Sequence, residues 1–328
     1  MTRSLIIGGL AGLASAVLTL TVAHGLLGFV LSYLAPLPLL LAGLTHGVLA
    51  VGIAGAVGTA VSGLSGPATS AIFLAFFAAP SAILVRQALL ARPAGEAGPE
   101  AEPVSGALEW YPAGRLVLWL SGWAAGLFVL ALLVTAGNEG GLPGTIQPAV
   151  EKMLVAFQQA IPELAGKGVD AADIAAYLAP LLPSAMTFGW LVAMVLNGVL
   201  AQGMAVMLKQ NRRPSPQYRA LALPRFLVVL LAVAALAIVV LPRDAAFAAI
   251  TMTTVLAFPY LLQGLAVVHG LAAKTAMPGL LLAAFYAALV VGQLGALIVV
   301  LMVILGLIEE WAGFRRHLAG TGTDRENN

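Results

Sequence analysis

Eight apolar stretches, at 4–34, 39–64, 67–90, 116–136, 183–208, 226–241, 246–270 and 277–308, dominate the chain, and none contains an aspartate or a glutamate. A bilayer core needs roughly 20 apolar residues per helix. Charged residues make up only 9% of the 328 residues, where a soluble domain carries about 25%. The chain therefore lacks the polar surface to coat a water-soluble globule. The expectation is an all-α, polytopic transmembrane bundle of about eight to ten helices.

Other classes are excluded on the same grounds. Disorder needs low hydrophobicity and high charge. The net charge of +2 is a small difference between small numbers, and no basic cluster on a polar domain suggests nucleic acid. With no cysteine, there is no disulfide, thiolate metal site or cysteine nucleophile. Arg3 and the run Leu5–Leu20, with Ala14-Ser15-Ala16, mimic a cleaved signal. The apolar segments that follow at once favour a retained first helix.

Pro, Gly and charge cut the chain into regions. Residues 1–90 hold the first transmembrane segments, interrupted at Pro36–Pro38 and at Ser62-Gly63-Leu64-Ser65-Gly66. Residues 91–115 begin with a Pro, Gly, Ala and Glu rich run that reads as a flexible solvent loop. Residues 116–136 form one span. Residues 137–182 are polar enough to lie outside the core and hold two amphipathic helices. The first carries Val150, Met153, Leu154, Phe157 and Ile161 at helical spacing. The second has Asp170 as N-cap, Asp173 in its first turn, and a face of Ile174, Tyr177, Leu178 and Leu181. Residues 183–308 hold the remaining spans and 309–328 an expected cytoplasmic tail. A break near Gly292-Gln293-Leu294-Gly295 would divide 277–308 into two short helices, whereas a single tilted helix would place Arg315 and Arg316 on the other side.

Sidedness follows from charge. The segment 209–225 carries Lys209, Arg212, Arg213, Arg219 and Arg225 and no acid, so the positive-inside rule makes it cytoplasmic. Parity then places 91–115 on the cytoplasmic side and the insert 137–182 outside. The expected location is a bacterial cytoplasmic (inner) membrane.

No motif for ATP hydrolysis, acyl transfer, metalloprotease or dinucleotide chemistry is present, so no enzyme activity, catalytic residue, cofactor or metal is expected. With no carboxylate in any expected span, transport coupled to a buried acid is not expected. Of the four histidines, His24, His46 and His269 lie near membrane depth and His317 in the tail. Phe258-Pro259-Tyr260-Leu261-Leu262-Gln263-Gly264, running on to His269, packs a helix break, a phenol, an amide and an imidazole together. Such broken helices line membrane binding sites, and such residues also hold bundles together through hydrogen bonds. Gly8, Gly12 and Ala16 form a small-residue face on the first helix. That face serves either packing within the chain or docking of a partner subunit.

Three segments carry a resemblance: Tyr33-Leu34-Ala35-Pro36-Leu37-Pro38 through His46-Gly47, Phe258–Gly264 through His269, and Leu305–Trp311 with Phe314-Arg315-Arg316. Together they resemble the YybS-like family of bacterial integral-membrane proteins, over about residues 4–316. The N-terminal half is similar to the substrate-binding subunits of energy-coupling-factor transporters. That resemblance implies docking of an energising subunit through Gly8, Gly12 and Ala16. The leading expectation is a substrate-binding or permease-like subunit for a small, largely neutral solute. Its site would use His46, Tyr260, Gln263 and His269, with energy from ATPase and coupling subunits in the bilayer. The alternative is a non-transporting membrane scaffold or regulatory protein.

Overall fold

The structure is a computed structural model and describes residues 2–93, 108–160, 170–216 and 221–313. Among the described residues, the secondary structure is helical apart from one small hairpin. Its elements are α1 (Thr2–Leu20), a 3-10 turn (Thr21–His24), α2 (Gly25–Ser32), α3 (Pro36–His46) and α4 (Val48–Gly63). Next come α5 (Pro67–Phe73) and α6 (Ala79–Ala88), joined by a π turn at Leu74–Ala78. Strands β1 (Ala91–Pro93) and β2 (Leu108–Trp110) follow. The remainder is α7 (Ala113–Thr135), α8 (Gly141–Ala160), α9 (Ala171–Leu178), α10 (Leu182–Met207), α11 (Phe226–Val240), α12 (Arg243–Ala272), α13 (Pro278–Leu289) and α14 (Gly292–Ala312).

Among the described residues, seven segments are long and apolar enough to cross a membrane: Thr2–Leu20, Leu27–His46, Pro67–Ala88, Ala113–Thr135, Leu182–Met207, Ala245–Ala272 and Gly292–Ala312. Shorter apolar helices, α4, α11 and α13, accompany them. This is a polytopic helix bundle.

The chain divides into two compact units. The first comprises Met1–Leu120, Trp190–Pro224 and Pro259–Asn328. At its heart α1 packs along α4. A Cβ at Gly8 would come within 2.8 Å of the Ala50 carbonyl oxygen, and one at Gly12 would overlap that of Ala54. Gly8, Gly12, Ser15 and Ala16 are buried. Small residues let the backbones approach where no water drives association. The face expected either to pack internally or to dock a partner is thus covered by α4. Leu39, Leu40 and Leu44 of α3, Val51 and Ala54 of α4, and Phe73, Ala78 and Val85 of the α5–α6 segment complete this core.

The breaks in this unit have specific partners. Between α2 and α3 the carbonyls lose helical donors; Ser15 Oγ donates to the Ala35 carbonyl at 2.6 Å and Asn197 Nδ2 to that of Tyr33 at 2.7 Å. Pro36 then opens α3 rather than merely ending α2, as Pro is suited to a first helical turn. Pro80 has no N–H to offer the Phe76 carbonyl four residues earlier, and the Trp190 indole N–H donates there instead, at 3.0 Å.

The expected flexible loop at 91–110 is pinned at both ends. β1 and β2 pair antiparallel with Arg92 opposite Glu109, joined by a 2.7 Å ion pair. Residues 94–107 lie outside the described residues, as do Ile161, Arg219, the tail from 314 that includes Arg315, Arg316 and His317, and the side chains of His24 and Phe157.

The second unit comprises Ser121–Gly189 and Arg225–Phe258. Helix α8 starts at Gly141 with Pro148 inside it. Asp170 caps α9, accepting from the Ala172 N–H at 3.0 Å, with Asp173 in the first turn. The buried positions of α9 are Ala171 and Ala175, whereas Tyr177 of the expected apolar face is 73% exposed. Small residues allow close approach of α9 to α8, with Ile174 and Leu178 half-buried at its margin and Tyr177 and Leu181 exposed. Phe188 meets Phe258 edge to face, with ring centroids 6.1 Å apart.

The run 277–308 breaks just before Gly292, as the sequence suggests, but unequally. Helix α13 has 12 residues, about 18 Å of rise, too short to cross a core of about 30 Å. Helix α14 is a full span of 21 residues and continues beyond Glu309 and Glu310 to Ala312. This candidate span therefore carries two carboxylates at its end, where the apolar run 277–308 led to none being expected. Gly313, in the left-handed region at φ 57°, ends the helix. Nothing earlier in the sequence stops it, because a pair of glutamates does not break a helix.

Candidate functional site

Helices α12 and α14 cross at two glycines. A Cβ on Gly264 would overlap the Met302 carbonyl oxygen, and one on Gly306 would overlap that of Tyr260. The pairing of 264 with 302 and of 260 with 306 runs in opposite senses, so the two helices are antiparallel. Side chains lean toward the N-terminus of their own helix. Gln263 of α12 and Glu310 of α14 therefore lean toward one another, and Gln263 Nε2 reaches Glu310 Oε2 at 3.5 Å, long for a hydrogen bond.

Tyr260 lies one turn from Gln263 at the same crossing. It is 0% exposed and Gln263 is 2% exposed. Among the described residues, neither the Tyr260 hydroxyl nor Gln263 Oε1 has a hydrogen-bond partner. Glu310, on the facing helix, is half-buried. An unmet polar group in a dry interior costs about 1–3 kcal/mol, and more where lipid replaces water. Glu309 beside it is also buried. The glycine crossing thus sets a carboxylate against an amide, with a buried phenol one turn along α12.

The other two expected site residues go elsewhere. At 100° per residue, His269 lies on the opposite face of α12 from Tyr260. Its Nδ1–H donates to the Leu265 carbonyl at 2.8 Å, since a carbonyl can only accept. That leaves Nε2 to accept from the Tyr286 hydroxyl of α13 at 3.3 Å. His269 thus ties α13 to α12. His46 ends α3. The Thr45 hydroxyl donates to the Leu41 carbonyl, so His46 Nδ1–H donates to Thr45 Oγ1 at 2.8 Å.

Around His46 the basic segment after α10 supplies two helix caps. Arg212 Nε donates to the Thr45 carbonyl at 3.0 Å and Arg213 Nη1 to the Ala88 carbonyl at 2.9 Å. Neighbouring arginines thus hold the C-terminal, electronegative ends of α3 and α6. Gly47, at φ 93°, has no Cβ where the Arg212 guanidinium approaches. Arg213 is 6% exposed and lies over the Trp110 ring at 5.9 Å. Burial lowers its pKa below the ordinary guanidinium value. Asn211 Nδ2 and Gln202 Nε2 both donate to the Arg213 carbonyl, at 2.9 and 3.1 Å. The hairpin after α6 and the segment after α10, expected to share one side of the membrane, therefore meet.

Sequence reasoning missed Glu310. The signal was available: Glu309-Glu310 directly abuts the apolar run, and the natural helix stop is Gly313. Among the described residues, no group of three or more His, Asp or Glu could hold a metal ion.

Comparison with curated proteins finds no match, and comparison with solved structures finds none either. A family model, described as a predicted membrane protein (DUF2232), matches residues 12–309. That match takes in α12, α14 as far as Glu309 and most of the other elements described above, and the chain belongs to this family of membrane proteins.

Proposed function

We propose that this protein is a substrate-binding or permease-like subunit of the bacterial inner membrane, taking a small solute at the α12–α14 crossing. The observation that carries this reading is the pair of unmet, fully buried polar atoms, Tyr260 Oη and Gln263 Oε1, beside the Glu310 carboxylate. Groups of this kind at membrane depth are costly and mark solute or ion pathways. A packing role alone would favour partners for both atoms, as the Ser15 hydroxyl has at the α2–α3 break.

The resemblance of the N-terminal half to energy-coupling-factor subunits supports a binding role. Energising ATPase and coupling partners would need a surface other than Gly8, Gly12 and Ala16, because α4 covers that face. His46 and His269 are not part of the proposed site. Solute uptake tests the reading, in cells lacking the native copy and complemented with wild type or Gln263→Leu. The expected result is loss of uptake of one solute class with the variant protein still in the membrane. Unchanged uptake of every solute offered would leave a scaffold role as the better account.

A further inference from the structure

The chemistry of the crossing narrows the solute, and this step rests on the binding role proposed above. The Glu310 carboxylate lies against Gln263, whose Oε1 is unmet, and the unmet Tyr260 hydroxyl belongs to the residue one turn away on the same face of α12. The carboxylate and the amide oxygen only accept, and the phenol accepts as readily as it donates. The available amide N–H is already directed at Glu310. Glu310 has no ion-pair partner among the described residues, and a carboxylate in a span is stable only when paired or protonated. What the place lacks is a positive charge bearing several N–H donors.

We infer that the α12–α14 crossing binds a small protonated amine, whose ammonium donates to Glu310, Gln263 and Tyr260 together. A primary ammonium has three donors in a tetrahedral arrangement, one for each oxygen group. An anion would meet an uncompensated carboxylate, and a neutral amide would leave that charge unpaired. The long Gln263–Glu310 separation of 3.5 Å leaves a weak contact for an ammonium to replace. The tight contact of Gly264 and Gly306 with the opposing carbonyls limits the room beside it and so favours a compact head group.

The test uses the full chain, purified in mild detergent, with radiolabelled methylammonium in equilibrium dialysis. The expected result is saturable binding, displaced by ethylammonium and not by acetamide or acetate. Glu310→Gln should weaken it roughly tenfold or more, as expected for loss of a charged hydrogen bond. Gln263→Leu should weaken it too, and Gly122→Ala should bind as wild type. Tryptophan-fluorescence melting checks that each variant is folded. Absence of saturable methylammonium binding to wild type overturns the inference, as does full retention in folded Glu310→Gln. Displacement by sodium at equal concentration would identify a metal-cation site and also overturn the amine class. Saturable acetamide binding, lost in Gln263→Leu but kept in Glu310→Gln, overturns the amine while leaving the binding role intact. Failure of every probe together with unchanged uptake sinks both.

Discussion

Replacing Gly264 with Ala should separate α12 from α14 and dismantle the polar crossing from a distance. The added Cβ would overlap the Met302 carbonyl oxygen and lie 3.1 Å from the Met302 Cα. These are backbone atoms, so no side chain can turn aside. Carbon contacts are comfortable at about 3.5–4.0 Å, which requires the helices to part by roughly 1 Å or more. Overpacking of this kind costs about 1–3 kcal/mol. At about 2–4 °C per kcal/mol, the melting temperature should fall by several degrees. The matched control is Gly122→Ala. Gly122 also sits in a helix but has nothing within 4 Å of its added Cβ, and Ala is favoured over Gly in a helix by about 1 kcal/mol. It should melt at or above wild type. Five tryptophans allow both melts to be followed by intrinsic fluorescence. The displacement adds to a Gln263–Glu310 separation already at 3.5 Å, so ligand binding should fall alongside stability. If the two alanine variants melt together, the close crossing does not exist and the reasoning falls with it.

Three further outcomes follow from other elements. Arg213→Gln removes a charged donor from the Ala88 carbonyl; a loss of about 1.5–3 kcal/mol should appear as a clear drop in melting temperature. Helix α10 ends with Lys209 at φ 56°, the Lys209 N–H bonding the Val206 carbonyl and the Gln210 N–H that of Ala205. That is the arrangement in which Gly is preferred, so Lys209→Gly should stabilise the chain by about 1 kcal/mol, read in the same melts. The Arg92–Glu109 pair raises the arginine and lowers the glutamate from their ordinary values, chiefly through their hydrogen bond. A lowered carboxylate pKa contributes above the unfolded value and is lost as pH falls through the folded one. Stability should therefore not respond to this pair between pH 6 and 8, and Glu109→Gln should shift the melt by no more than ~1 °C, because the pair is fully exposed and screened.

Local rules made much of the fold legible. Gly8, Gly12 and Ala16 announced a close helix approach through spacing alone, and Asp170 announced its cap. The break near Gly292 was visible in a run too long for one span. What spacing could not supply was the partner across the gap. That α4 meets the Gly8 face, or that Trp190 supplies the donor Pro80 lacks, depends on contacts between distant segments of the chain. The candidate site shows the same division. Tyr260 and Gln263 were singled out because polar groups beside a proline are conspicuous in an apolar run. His46 and His269 were included for their chemistry, but helical phase carries His269 to the far side of α12, and His46 belongs to the end of α3. Glu310 reads as part of the tail, because a charge pair at the edge of an apolar stretch resembles the water boundary. The helix instead carries that charge back against Gln263.

The two arginine caps also set an order of assembly at the ribosome. The donor for the Thr45 carbonyl lies 167 residues downstream, and that for the Ala88 carbonyl 125 residues downstream. At about 5–20 residues per second, the second interval alone is roughly 6–25 s of synthesis. Through that time α3 and α6 are already made, and their last carbonyls can be met only by water or lipid head groups. The N-terminal block must therefore wait in the membrane in an unfinished form until Arg212 and Arg213 emerge. The insertion machinery and any chaperone at its exit meet that waiting form, and a nascent chain stalled before residue 212 would leave it permanently open.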